Sequence, residues 1–218
     1  MINKLSLIFQ TNSFELVIDE EKLKILKRND NNKYEYFIIV ESERLDIITN
    51  EQQKEYLNII KKHIDDKEVD KNSTLLVCFK SETLPLDSGI YKQILKIEED
   101  PYFFRKLVLP YTQEQIDFLD NPDEFGNIIK NTDSFEEFKV ACKNKDLTNS
   151  QYEIVSQLYI KLPFFKLPTV SNVKNIVLDE YKSSLSNEET KTLEFLERTN
   201  IENIVDNEDF FKKLEDLK

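Results

Sequence analysis

Lys96–Thr112, KIEEDPYFFRKLVLPYT, is the stretch on which the organisation of the chain turns. Before it the apolar residues fall in short β-rich runs, and after it they fall in helical stripes. Asp100 followed by Pro101 reads as a helix start. Aspartate accepts first-turn amides, and proline at the first helical position gives up an N–H that has no partner there. Phe103, Phe104, Leu107 and Val108 then form an apolar stripe. Arg105 and Lys106 point elsewhere, toward the end of the helix where cations are favoured, and Pro110 stops it. Glu98, Glu99 and Asp100 sit where negative charge favours a helix N-terminus. By local physics the run is a well-capped amphipathic helix joining two subdomains. Its Tyr, Phe and Arg content also suits a partner surface.

Upstream, Leu5–Phe9, Phe14–Ile18, Leu23–Leu26 and Tyr34–Val40 are short runs rich in strand-forming residues, separated by polar, turn-prone segments. Arg28–Lys33 (RNDNNK) is a hairpin loop, since Asn and Asp tolerate left-handed backbone. A helix is expected over Glu51–Ile64, with Asn50 as N-cap, Gln53 closing the capping box, and Tyr56, Leu57, Ile60 and Ile64 on one face. Ser73–Phe79 (STLLVCF) is a buried strand. A helix between two strands implies a small sheet with a helix packed on it.

Downstream, four segments open with Ser or Thr followed three residues later by Glu or Gln: Thr112/Gln115, Ser134/Glu137, Ser150/Glu153 and Ser186/Glu189. Ile154, Val155, Leu158 and Leu162 follow the third at helical spacing, and Phe210, Phe211, Leu214 and Leu217 mark a last helix. The expected class is α+β: a mixed N-terminal sheet with a packed helix over residues 1–100, then a helical part over 101–218.

The 218 residues carry a formal net charge of -12. A free-standing nucleic-acid binder needs a basic face to neutralise phosphates, so direct binding of DNA or RNA by the chain alone is not expected. Cys78 (LLVCF) and Cys142 (FKVAC) lie in apolar runs and read as buried free thiols. The opening MINKLSLIFQ is too weakly apolar for a signal peptide, and no stretch approaches a membrane span, so a cytoplasmic protein is expected.

Catalytic chemistry finds little support. With only Gly89 and Gly126, neither a Walker A loop nor a dinucleotide fingerprint is possible. The single histidine, His63, rules out HExxH-type zinc sites and reads as a boundary residue flanking the apolar helix face. Glu20-Glu21-Lys22 has the Glu-x-Lys spacing of a magnesium nuclease, yet little chain precedes it to supply the first acid. No cofactor, metal or small-molecule substrate is expected. An Asp/Glu-based nuclease and an acidic, antitoxin-like neutraliser of a basic toxin stand as alternatives.

The run Ile97–Thr112 (IEEDPYFFRKLVLPYT) resembles the central motif of the middle components of bacterial ABC-three-component systems, a family that includes the accessory subunit of Lamassu anti-phage defence. Tyr34–Glu41 (YEYFIIVE) and Ser73–Glu82 (STLLVCFKSE) follow the order of hydrophobic runs in the first middle-component family. What the resemblance implies is a non-catalytic subunit. It would bridge or restrain an SMC/Rad50-like ABC ATPase and an effector nuclease of the same operon. Glu98, Glu99, Asp100, Pro101, Tyr102, Phe103, Phe104, Arg105 and Lys106 are then expected to act in partner contact or architecture. A second candidate surface is Pro163–Pro168 (PFFKLP), whose adjacent Phe164 and Phe165 suit either a contact or a loop plugging the core.

Overall fold

The computed structural model describes residues 1–30, 33–166 and 190. By compactness the chain divides into 1–168 and 169–218, and all elements named below belong to the first unit. They run α1 (Ile2–Thr11), β1 (Glu15–Asp19), β2 (Leu23–Asp30), β3 (Lys33–Ser42), α2 (Asn50–His63), β4 (Ser73–Lys80), α3 (Ser88–Glu98), β5 (Arg105–Tyr111), α4 (Phe125–Lys130), α5 (Thr132–Asn144) and α6 (Gln151–Lys161). Two short 3₁₀ turns lie between β5 and α4. The Ser186/Glu189 box, Pro168 and the Phe210–Leu217 stripe lie outside the described residues.

The five strands form one mixed sheet in sequential order, β1-β2-β3-β4-β5. β1, β2 and β3 pair antiparallel, whereas β3–β4 and β4–β5 are parallel. Parallel neighbours need a crossover, and α2 and α3 supply the two. The run STLLVCF has no polar alternation, so it must be covered on both faces. Leu75, Val77 and Phe79 face the side on which α2 and α3 pack, with Ile60, Ile94 and Ile97 from those helices. Leu76 and Cys78 face the other side, covered by Ile2, Leu5, Ile8 and Phe9 of α1 and by Ile154, Val155 and Leu158 of α6. Phe9 anchors that second layer, with ring centroids 5.0 Å from Phe14, 4.9 Å from Phe37 and 4.7 Å from Phe164.

The α+β class holds, and so do β1 to β4 and α2 near their expected positions. Several local expectations give way. Leu5–Phe9 is helical, because Ile2, Leu5 and Ile8–Phe9 recur at helical spacing, and an apolar run this short fits either period. The α2 cap is Thr49, whose hydroxyl accepts from the Gln52 amide at 3.3 Å. Gln53 is thereby released from capping and lies buried beneath the helix. Another is Lys96–Thr112 itself. No helix starts at Asp100; after a turn the chain enters β5, and the change from sheet to helix comes after Tyr111. Leu107, Val108 and Leu109 form a continuous apolar run of the kind a two-face-buried strand needs, and β4 offers it a ladder.

Of the remaining capping boxes, Ser150 accepts from the Glu153 amide at 3.2 Å and starts α6 as expected. Gln115 accepts from the Thr112 amide at 3.1 Å, but a 3₁₀ turn follows in place of an α-helix. α5 starts one turn early, on Asn131, whose side chain accepts from the amides of Asp133 and Ser134. Cys78 is fully buried, and burial pushes its thiol pKa up. Cys142 is exposed, contrary to expectation, because α5 buries none of its residues.

Truncating Leu76, which is wholly buried at the middle of β4, is expected to cost about 3 kcal/mol. Ile160→Ala, at a position 73% exposed on α6, should stay within about 0.5 kcal/mol of the parent. Urea denaturation with an unchanged slope checks both.

Candidate functional site

The α3–β5 junction is built around one buried cation. Lys106 faces the α2/α3 side of the sheet, and its residue is 1% exposed. A buried ammonium is tolerable only when paired and hydrogen-bonded. Its three donors find three acceptors. It pairs with the Asp100 carboxylate at 3.1 Å, donates to the Asp100 carbonyl at 2.8 Å, and donates to the Tyr102 carbonyl. Asp100 also accepts from the Gln53 amide at 3.2 Å and from the Tyr102 backbone N–H at 3.1 Å. Burial pushes the Asp100 carboxyl up, but the Tyr102 amide, Lys106 and Gln53 outweigh it and hold its pKa below the ordinary carboxylate value.

That lysine fixes the turn above it. The Phe104 N–H donates to the Tyr102 carbonyl at 3.0 Å, closing a three-residue γ-turn, and Phe103 at its centre has φ of 65°. This hand of γ-turn is rare and strained, and a bulky residue there is a genuine outlier. Phe104 turns inward and is buried. Tyr102 and Phe103 turn outward, 63% and 38% exposed. Beside them opens a cleft of about 820 Å³ bounded by Ile48, Gln53, Lys96, Glu99, Asp100 and Tyr102. Among the described residues the Gln53 carbonyl oxygen is buried without a partner.

Glu98 has a different task. β5 is an edge strand, and the outward Val108 N–H donates to the Glu98 carboxylate at 2.7 Å. Lys161 of α6 holds the same carboxylate at 2.6 Å. Pro110, two residues on, has the same outward orientation and no N–H to satisfy, which is why a proline fits in this strand.

The candidate residues therefore separate. Glu98, Asp100, Phe104 and Lys106 are engaged within the chain, whereas Glu99, Pro101, Tyr102, Phe103 and Arg105 are exposed. Phe164 is buried against Phe9, Phe14 and Phe37, and half-buried Phe165 lies against Phe125 and Tyr159. Sequence reasoning missed Gln53 and Lys161. Gln53 fits a capping box by spacing alone, and nothing in the sequence ties α6 to α3.

The other places where chemistry could gather hold little. A hollow of about 520 Å³ lies just past the carboxyl ends of β3, β4 and β5, lined by Glu43, Lys80, Ser81, Glu82, Gln113 and Glu114. Ligand crevices in such sheets form where the strand order reverses, and here it runs straight through. Glu20-Glu21-Lys22 sits in the exposed β1–β2 turn, and exposed His63 ends α2 with its ring Nδ1 2.9 Å from the Ile59 carbonyl. Among the described residues no group of three or more His, Cys, Asp or Glu side chains is placed to hold a metal ion. Among them, too, no helix is long and apolar enough to cross a membrane.

Residues 35–154, more than half of the chain, match the family model of the ABC-three component (ABC-3C) system Middle Component 1. The chain belongs to that family, and so works alongside the other components of such a system. The matched region opens at β3 and ends in α6, so it contains the whole α3–β5 junction. No curated protein and no solved structure matches the chain.

Asp100→Ala, which strands the Lys106 ammonium, should cost about 3 kcal/mol. The double variant Asp100→Ala/Lys106→Met should cost at least about 1 kcal/mol less than the sum of the two singles. Because the folded pKa of Asp100 is depressed, its contribution is complete above the unfolded value of about 4 and is lost as pH falls through the folded one. Urea unfolding from neutral to about pH 3 should therefore show a flatter acid limb in the double variant.

Proposed function

We propose that this chain is a non-catalytic accessory subunit of a Lamassu-like anti-phage defence assembly in the cytoplasm. It joins or restrains an SMC/Rad50-like ABC ATPase and an effector nuclease, and docks one of them through the exposed turn Pro101–Phe103, flanked by Glu99 and Arg105. The observation that carries this reading is the presentation of Tyr102 and Phe103. A strained turn, pinned by a buried and fully satisfied lysine, holds two large aromatic side chains in solvent. Strain of this sort persists where the surrounding structure over-determines it, which is the habit of functional sites. Aromatic anchors beside a cleft are the usual centre of a binding hot spot. The non-catalytic part is supported by the scarcity of glycine, and by acids in the signature run that neutralise a lysine or close a sheet edge. A net charge of -12 favours contact with partner proteins over direct contact with nucleic acid.

Phe103→Gly separates assembly from folding. Glycine adopts positive φ without strain, so the variant should be as stable as the parent or up to about 1 kcal/mol more stable. Its affinity for the component docked at the turn should nevertheless fall by about thirty-fold, as for loss of a roughly 2 kcal/mol hot spot. Co-expression of the tagged chain with the ATPase and effector of its own system measures the loss. A wild-type chain that purifies without either component, or that cleaves DNA by itself with magnesium, defeats the reading.

A further inference from the structure

α5 is a thirteen-residue helix with no buried residue. A helix of that length is marginal in water unless an apolar face is packed. α5 is held mainly by Phe135 and Phe138, whose rings lie 5.5 and 5.0 Å from that of Tyr152 on α6. Phe135 remains 40% exposed and Val140 54%. Along one flank of the helix run two adjoining hollows of about 500 and 270 Å³, which share Glu137, Ala141 and Asp146. The larger is lined mainly by apolar surface, with Val140 and Ala141, and the smaller adds Phe118 and Phe138 among polar groups such as Ser134 and Gln151. Their rim is acidic, and neither is lined by a lysine or an arginine. Lys139 engages Glu136 at 2.5 Å, while among the described residues neither Glu137 nor Asp146 makes an ion pair.

We infer that this groove is a second docking surface, and that its occupant is a basic amphipathic helix of another component of the system. An apolar trough accepts side chains spaced at i and i+3 or i+4 on one helix face. Carboxylates at the rim select lysine or arginine beside that face and repel acidic competitors. The same charge argument counts against a second copy of this chain, itself at -12, as the occupant. The inference rests on the proposed role as an assembly subunit and adds where a further contact is made and by what chemistry.

The test uses the full chain co-expressed with the ATPase and effector of its own system. Val140→Asp places a charge on the groove floor, and Glu137→Lys reverses the rim. Both positions are exposed, so thermal melts should match the parent. Each variant should retain one of the two components at least ten-fold less well, and residues 132–144 should gain protection from hydrogen exchange in the wild-type complex. Wild-type retention by both variants overturns the inference. So does protection of 132–144 that appears in the free chain and rises with its concentration, which would make the occupant a second copy. If Phe103→Gly weakens assembly while both α5 variants do not, the turn stands as a docking site and the groove falls. A wild-type chain that assembles with neither component overturns both.

Discussion

Everything in the described fold hangs on the need to cover STLLVCF from two sides. A strand without a polar face cannot border water, so β4 requires a layer above and a layer below, and its ladder is completed by a neighbour on each edge, both parallel here. The crossovers of those neighbours put α2 and α3 on one face. The other face then has to be closed by α1 from before the sheet and α6 from well after it. Two cores follow from one strand. The long-range packing of Phe9, Phe14, Phe37 and Phe164 is the consequence on the second face, where four rings from separate parts of the chain meet.

The buried Lys106 is the exception to this apolar logic. Removing one partner of a buried pair strands a charge, so Asp100, Gln53 and the turn carbonyls are bound to one another's positions. A hydrophobic residue at 106 would remove the donations to the Asp100 and Tyr102 carbonyls and leave the turn held only by the Phe104-to-Tyr102 and Tyr102-to-Asp100 bonds. The paired charge therefore ties the turn that carries the outward aromatics, just beyond the C-terminal end of α3, to the helices beneath it.

Much of this was legible in the sequence, and the failures have physical causes. The strand-forming composition and turn residues of Phe14–Val40 mark their strands, and STLLVCF marks the central one, because both patterns are local. Lys96–Thr112 was misread because Asp-Pro followed by Phe103, Phe104, Leu107 and Val108 satisfies a helix as well as a strand, and only the free edge of β4 decides between them. α3, capped by Asp87 and carrying Ile90, Ile94 and Ile97 at helical spacing, has a local signal of the same kind. The acids of the run read as helix-start charges, whereas Glu98 closes α3, Asp100 pairs with Lys106 and Glu99 is exposed, and the partners of the first two could not be foreseen. Gln53, Val108 and Lys161 come to Asp100 and Glu98 through tertiary packing, and no spacing rule encodes that.

The closure of β5 by Glu98 and Pro110 has a bearing on how an assembly could be put together. One outward amide is already satisfied by a side chain, and another does not exist. At the opposite margin β1 is five residues long and carries a register shift between Leu16 and Ile18. Neither margin offers the unbroken row of backbone groups on which a foreign strand could zip. Among the described residues, neither margin therefore favours growth of a shared sheet. Contacts made through side chains, such as those of the outward turn, can be retuned by single substitutions as the other components of the system change.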